Sequence, residues 1–248
     1  MGQTAELDIV IPVYNEGNEI VRCLMALKEH VKTPFRVLIC YDMEEDTTLP
    51  ALQLPDLEGM NIELVKNPGR GPHRAVLSGF DHSSAPCVLM YPADDDYNAG
   101  VVDELVWRFR GGAEIVAASR FMPGGGGLEG CPLAKALIVR VADFLLVHFA
   151  RLPTHDATNG FRLFSRRTLE TVHIESTKGF TYSIELLAKV HRLGWKIDQV
   201  PVKWFERPDK KSRFKLLSWV PAYLPWFFYA FATTWLRRPA RTVPVKSS

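Results

Sequence analysis

The chain has 248 residues, 47% of them hydrophobic and 23% charged, with a net charge of +2. This is ordinary globular composition, long enough for one large α/β domain or two small ones, and too nearly neutral to give an electrostatic case for nucleic acid. The cysteines Cys23, Cys40, Cys87 and Cys131 lie far apart with no metal-ligand spacing, so they read as reduced thiols in or near the core of a cytoplasmic chain. Met1 to Asp8 is polar and has no signal-peptide apolar region. Asp8 to Val13 reads as a first inner strand, and Tyr14 to Asn18 as a turn with Asn18 placed to cap a helix. Ile20, Leu24, Leu27 and Val31 mark that helix as amphipathic. Phe35 to Tyr41 is a second strand, ending at Asp42. Residues 43 to 59, with Pro50 and Pro55, read as loop or weak helix. Asn61 to Val65 is a third strand, followed by the turn Asn67 to Pro72 and a helix to about Ser83.

Cys87 to Tyr91 is a short apolar run, the pattern of a strand buried on both faces. It breaks at Pro92 and presents Asp94, Asp95 and Asp96 before a helix from Val101 to Arg110 that Asn98 can cap. A loop at the carboxyl end of an inner strand is where ligands bind in open α/β sheets. In an extended segment residues i and i+2 point the same way, so Asp94 and Asp96 could hold one hard cation, Mg2+ or Mn2+, of the kind that shares a site with phosphates. The competing reading is a solvated acidic turn. Glu114 to Ser119 is a fifth strand, leading into Arg120. The alternation of strand and helix predicts a parallel, doubly wound sheet.

After Arg120 comes Met122 to Gly130, with four consecutive glycines but no phosphate-loop spacing, expected to be a flexible lid over a site. A helix runs from Pro132 to about Arg151, with Leu133, Leu137, Val141, Leu145 and His148 on one face. Thr154 to Gly160 is a polar turn before the strand Phe161 to Phe164. Ile184, Leu187, Ala188 and His191 mark a further helix, stopped by Gly194. Lys196 to Phe205 is a last strand, which Pro201 assigns to an edge. No internal repeat and no second hydrophobic core is evident.

The order of these pieces resembles the family 2 glycosyltransferases, and within them the polyprenyl-phosphate (dolichyl-phosphate mannose synthase-like) branch. The residues that carry the resemblance are Ile11 to Glu16, the strand end at Asp42, the Asp94 to Asp96 cluster, and Ser119-Arg120-Phe121 with its glycine loop. They continue with Asp156 to Arg162, Gly179-Phe180 with Ile184 to Leu187, Pro201-Val202, and Lys211 to Lys215. The resemblance implies a Rossmann-like nucleotide-sugar fold of the GT-A type, with a mostly parallel central sheet in one catalytic domain over residues 1–215. It implies that Pro12, Tyr14 and Glu16 contact the nucleotide, that Asp42 faces the base, and that the acidic cluster holds a metal on the diphosphate of a nucleotide-sugar donor. The branch's usual Asp-x-Asp-x-Gln is here Pro92-Ala93-Asp94-Asp95-Asp96, so the metal lies between Asp94 and Asp96 or rests mainly on one of them.

Charge builds on the β-phosphate as a glycosyl bond to a nucleotide breaks, and a metal or a guanidinium stabilises it. Arg120 is a candidate for that contact because its planar fork suits phosphate, whereas Arg70 reads better as a surface arginine. A sugar hydroxyl acceptor needs a carboxylate base, and a lipid phosphate needs cations instead. Lys135, Arg140, Arg162, Lys211 and Arg213 are the candidate cations. Asp156 is the carboxylate expected near the reacting centre, against an Asx turn as the alternative. Glu185, one acid on an apolar face, is expected to pair with an arginine. Two other classes compete. A nucleotidyltransferase would carry a glycine-rich, lysine-bearing first loop in place of Tyr14-Asn15-Glu16, and a non-catalytic relative would bind nucleotide without metal-dependent turnover.

Leu216 to Leu236 is a run of 21 uncharged residues flanked by basic ones. Its aromatic residues recur along its whole length, and Pro221 and Pro225 interrupt it, which favours a monotopic interfacial segment over a span. The expected organisation is therefore an apolar helical tail over 216–238 that lies on the membrane surface, and a disordered C-terminus over 239–248. That places the enzyme in the cytoplasm on the inner face of the cell membrane, beside a polyprenyl phosphate acceptor. The alternative for the tail is a helix packed on the catalytic domain.

Overall fold

The structure is a computed structural model, and it describes residues 5–127, 130, 133–204 and 216–246. Seven strands form one sheet: β1 (Leu7–Pro12), β2 (Phe35–Tyr41), β3 (Ile62–Lys66), β4 (Cys87–Met90), β5 (Ile115–Ser119), β6 (Arg162–Ser165) and β7 (Ile197–Pro201). Their order across the sheet is β3-β2-β1-β4-β6-β5-β7. The helices are α1 (Glu19–His30), α2 (Thr48–Ala51), α3 (Pro72–His82), α4 (Val102–Arg110), α5 (Leu133–His148), α6 (Arg166–Thr171), α7 (Thr181–Leu193) and α8 (Leu216–Trp235).

Because side chains alternate along a strand, each inner strand feeds two cores. Leu7, Ile9 and Ile11 of β1 pack with Val37, Ile39, Leu89 and the apolar faces of α1 and α4. Val10 packs the other way with Leu38, Cys40, Val88, Phe80 of α3 and Leu187 of α7. One core was expected, and the fold has one on each face of the same sheet. The buried cysteines Cys23, Cys40 and Cys87 are free thiols in these layers, and burial pushes Cys40 and Cys87 up to about 12.

Two details refine the reading of the sequence. β6 runs antiparallel to both neighbours, with Met90 opposite Arg162 and Ala117 opposite Arg162 across the two ladders, whereas β1, β2, β3 and β4 are mutually parallel and β7 is parallel to β5. Helix α5 packs against α8, so the chain reverses near the edge at which β5 ends. The amino end of β6 therefore lies beside the carboxyl ends of β4 and β5. The second detail concerns the segment 239–246, which pairs with the end of α6 and the residues after it. His173 N donates to Pro244 O at 3.0 Å, Lys246 N donates to Thr171 O at 2.9 Å, and Val243 is buried. The helix α6 went unread, and Ser165 starts it by accepting from Thr168 N.

Helix α8 continues through Pro221 and Pro225 and docks on α7 and α5. Ala230 is fully buried, and Arg192 donates to Tyr229 O and Thr233 Oγ1, both at 2.9 Å. At its far end Thr234 donates to Ala150 O at 2.5 Å and Trp235 Nε1 to Phe149 O at 2.9 Å. The packed-helix alternative thus describes one face of α8. Phe228 and Trp235 on the helix stay more than 60% exposed, as does Leu137 on α5. Among the described residues no helix is long and apolar enough to cross a membrane.

Candidate active site

Parallel register brings the ends of β1, β2, β4 and β5 to one edge. Val13 N donates to Cys40 O at 2.9 Å and Tyr91 N to Val10 O at 3.0 Å, so the loops that follow these strands emerge side by side. Pro12 ends β1, and Tyr14, Glu16, Asp42, Asp94 to Asp96 and Arg120 stand on those loops. The antiparallel β6 adds the turn 154–160 to the same edge.

The first loop is held by a residue the sequence reading passed over. Asp46 is 1% exposed, and both its oxygens accept from Asn15 N at 3.1 Å while Oδ1 also takes Thr48 N at 2.8 Å. This fixes Asn15 at φ 54, a left-handed conformation that asparagine tolerates, and turns Tyr14 outward. Asp46-Thr47-Thr48 was a local signal, an acid two residues before a helix start, within a stretch dismissed as polar loop. Asp42 accepts from Asn67 Nδ2 and Gly71 N, both at 2.7 Å, and so ties the turn before α3 to the second loop.

In the acidic loop the three carboxylates separate as alternation requires. Asp95 turns inward and is 6% exposed. It accepts from Asn98 N at 2.9 Å, Asn98 Nδ2 at 2.7 Å and Tyr97 N at 3.2 Å. Burial raises its pKa despite these bonds. Asn98 makes no helix cap; its amide bridges Asp95 to Lys203 O at 2.9 Å. Asp94 is exposed and Asp96 half-buried, so both carboxylates reach solvent. Among the described residues no group of three or more His, Cys, Asp or Glu could enclose a metal. Two partly exposed acids two residues apart on one loop do fit Mg2+ or Mn2+, which take one or two carboxylates and complete their shell with phosphate oxygens and water.

Arg120 and Asp156 form a closed pair. Asp156 is fully buried and accepts Arg120 Nε at 2.6 Å and Nη2 at 2.8 Å in bidentate fashion, plus Arg120 N at 3.0 Å. The Asp156 carboxylate is committed to orienting this guanidinium at the end of β5. The turn around it is knit in by Asn159 Nδ2 to Ala118 O at 2.8 Å and by His155 N to Gln199 Oε1 at 2.8 Å.

Arg162, expected among the acceptor cations, is instead completely buried in β6. Nη1 donates to Ser183 O at 2.6 Å and Nη2 to Asp156 O at 2.9 Å, and burial lowers its pKa to about 10. It braces the Asp156 turn from beneath and presents no charge at the surface. All four residues of β6 are buried, and Arg162 is buried with them. Glu185 is also buried, and its partner is Lys189 at 2.6 Å rather than an arginine. Arg140 stays exposed, 5.6 Å from the ring centre of Phe121. Lys211 and Arg213 lie outside the described residues, as does the side chain of Lys135.

The described part of the glycine loop packs on the end of β5. Gly127 N donates to Arg120 O at 2.9 Å, and Gly126 N to Val202 O at 3.0 Å. A Cβ on Gly125 would stand 2.5 Å from Arg120 O and 2.7 Å from Arg120 C. These glycines let the chain fold back tightly on the Arg120 backbone.

A mixed, mostly parallel sheet with an acidic loop and a held arginine at one edge defines a nucleotide-sugar transferase of the GT-A type. The chain belongs to glycosyl transferase family 2, whose profile matches residues 8–172, and it is a glycosyltransferase. It is 24% identical over 229 residues to the polyprenol monophosphomannose synthase of Mycolicibacterium smegmatis, covering 85% of each chain. It is 25% identical over 225 residues to a dolichyl-phosphate beta-glucosyltransferase of Trichomonas vaginalis, covering 84% of this chain and 68% of that one. Among solved structures it resembles glucosyl-3-phosphoglycerate synthase from Mycobacterium tuberculosis bound to UDP, with a TM-score of 0.67 at 17% identity, over 92% of this chain and 80% of that one. The same protein bound to Mn2+, UDP and glucosyl-3-phosphoglycerate matches with a TM-score of 0.65.

Proposed function

We propose that the protein transfers a sugar from a nucleotide-diphosphate sugar to a polyprenyl phosphate at a membrane surface. The observation that carries this reading is the pairing at one sheet edge of two partly exposed acids with an arginine whose geometry is fixed by a buried acid. Asp94 and Asp96 would hold Mg2+ or Mn2+, as the metal-bound complexes of the structural relative support. A bound divalent ion offsets the charge that develops on the departing diphosphate. Pro12 at the end of β1 and Tyr14 and Glu16 on the first loop line the donor side, with Asp42 on the next, and Arg120 presents its guanidinium to a phosphate.

Three observations support a lipid phosphate as the acceptor. Asp156, the carboxylate expected near the reacting centre, is engaged by Arg120 through three hydrogen bonds, which favours an acceptor that needs no base. A lipid phosphate is already an anion and requires no base. The relatives named for polyprenyl and dolichyl phosphate support the same acceptor. So do the apolar residues that α5 and α8 expose, Leu137, Val141 and Phe144 on one and Leu224, Phe228 and Trp235 on the other. Patches of this kind mark sites of interaction, and aromatic side chains suit the headgroup region. Arg140, and Lys211 and Arg213 beyond the described residues, would hold the acceptor phosphate.

The test is to incubate the full chain with labelled nucleotide sugars, Mn2+ and either a polyprenyl phosphate or soluble hydroxyl acceptors. Label in the organic phase that depends on the lipid phosphate is the expected product. Transfer only to a soluble hydroxyl would refute the acceptor.

A further inference from the structure

Helix α5 carries a single acid, Asp143, on a surface otherwise apolar or basic. It lies three residues beyond Arg140, and Arg120 and Arg140 approach the same ring, Phe121, at 5.4 Å and 5.6 Å. The helix therefore lies over the end of β5. Oδ1 of Asp143 is buried and has no hydrogen-bond partner among the described residues. The charged groups it faces are Asp156 and Arg120. Arg162 Nη2 donates to Asp156 O at 2.9 Å, and Tyr223 of α8 interacts electrostatically with Arg120 and Arg162. Arg140 on the same helix is exposed, and its charge is constant over the physiological range. Burial first, and then the charge of Asp156, push the Asp143 carboxyl up to about 7 against the pull of Arg120.

Arg120 and Asp156 balance each other, and the buried Arg162 beneath them leaves the cluster with one net positive charge. An ionised Asp143 cancels it, and a protonated one leaves it available to an anion.

We propose that Asp143 is a positioning residue that admits a phosphate group to Arg120 when protonated and disfavours it when ionised. This rests on the reading that Arg120 meets a phosphate, which either the donor diphosphate or the acceptor monophosphate supplies. Binding above neutral pH then takes one proton from solution onto Asp143. Asp143 was not singled out from the sequence, where α5 was read for its apolar face and for the cations Lys135 and Arg140.

Two ligand arms distinguish the sources. In one, the full chain with fixed Mn2+ is titrated with UDP and with GDP; in the other, with a short-chain polyprenyl monophosphate in detergent. Each is run from about pH 6 to about pH 9 on the wild type and on Asp143→Asn, with proton uptake counted calorimetrically in two buffers. The ligand phosphate titrates too, with a second pKa of about 6, so the readout is the difference between the two proteins. In one arm the wild-type affinity should fall by about tenfold relative to Asp143→Asn as pH rises past 7, a one-proton linkage. Asp143→Ser replaces Asp143→Asn as the comparison protein if the first variant folds poorly.

Superimposable profiles in both arms, with no proton uptake on binding, would overturn the proposal. So would a turnover number that rises through neutral pH and is lost in Asp143→Asn, the signature of a base acting on a hydroxyl. If the UDP or GDP arm bends as expected while no sugar reaches polyprenyl phosphate, the acceptor assignment fails and the role of Asp143 stands.

Discussion

Two buried acids show how partners set the sign of a shift. Asp8 is fully buried, and burial alone would raise its pKa. Hydrogen bonds from Arg36 Nε at 2.9 Å, Ala85 N at 2.9 Å and Ser84 N at 2.7 Å together outweigh that and hold it below the usual carboxylate value. Asp143 lacks a partner for Oδ1, and burial prevails. For Asp8 the folded pKa lies below the unfolded one, so its stabilisation is present above the ordinary carboxylate pKa and is lost as pH falls through the depressed value. Asp8→Asn should therefore lower stability at neutral pH by about 2 kcal/mol, the scale of hydrogen bonds to a charged group. The gap to wild type should narrow as the solution is acidified, which denaturant melts at several pH values will read. For Asp143 the sign is reversed: the folded state holds the proton more tightly, so wild-type stability declines as pH rises toward 7. Neither sign is legible in sequence, because it depends on partners 28 and 77 residues away for Asp8.

At the scale of elements, apolar runs and breakers located most strands and helices. Phe35–Tyr41 is the strand expected, Gly194 caps α7 in the left-handed region at φ 72, and β7 with Pro201 is an edge strand. The direction of β6 was not legible, since an apolar run looks the same both ways. The glycine loop shows the same limit: flexibility and close approach both call for glycine. The structure uses close approach, so Gly125→Ala should displace the Arg120 backbone. Transfer activity should then fall about 10- to 100-fold with the melting profile little changed, the penalty of misplacing a positioned group. Gly79 makes the parallel case in the core, where a Cβ would collide with Val10 and stand 2.8 Å from Cys40 Sγ. Gly79→Ala should cost about 1–3 kcal/mol by overpacking, measured by chemical denaturation.

For the whole molecule, the sheet edge brings together loops from β1, β2, β4, β5 and β6, and α5 and α8 extend apolar surface from the Arg120 end. The ordered motifs made the family and the edge legible. The commitment of Asp156 to Arg120 and the burial of Arg162 arise from long-range packing that no local pattern records. The exposed faces of α5 and α8 predict binding to vesicles containing anionic lipid. Val141→Glu combined with Phe228→Glu should weaken it by about 100-fold, since each large apolar side chain contributes about 1.5–3 kcal/mol on burial. Nucleotide binding should be unchanged, and unaltered co-sedimentation of this variant would remove the membrane surface from the account. The most direct test of the central claim is the initial rate of sugar transfer from a nucleotide sugar to polyprenyl phosphate, measured with Mn2+, with EDTA, and with Asp94→Asn and Asp96→Asn. The account predicts lipid-linked product that disappears with EDTA and falls by two orders of magnitude or so in at least one variant, in line with the loss of a charge-stabilising contact. Undiminished transfer in EDTA and in both variants would contradict it.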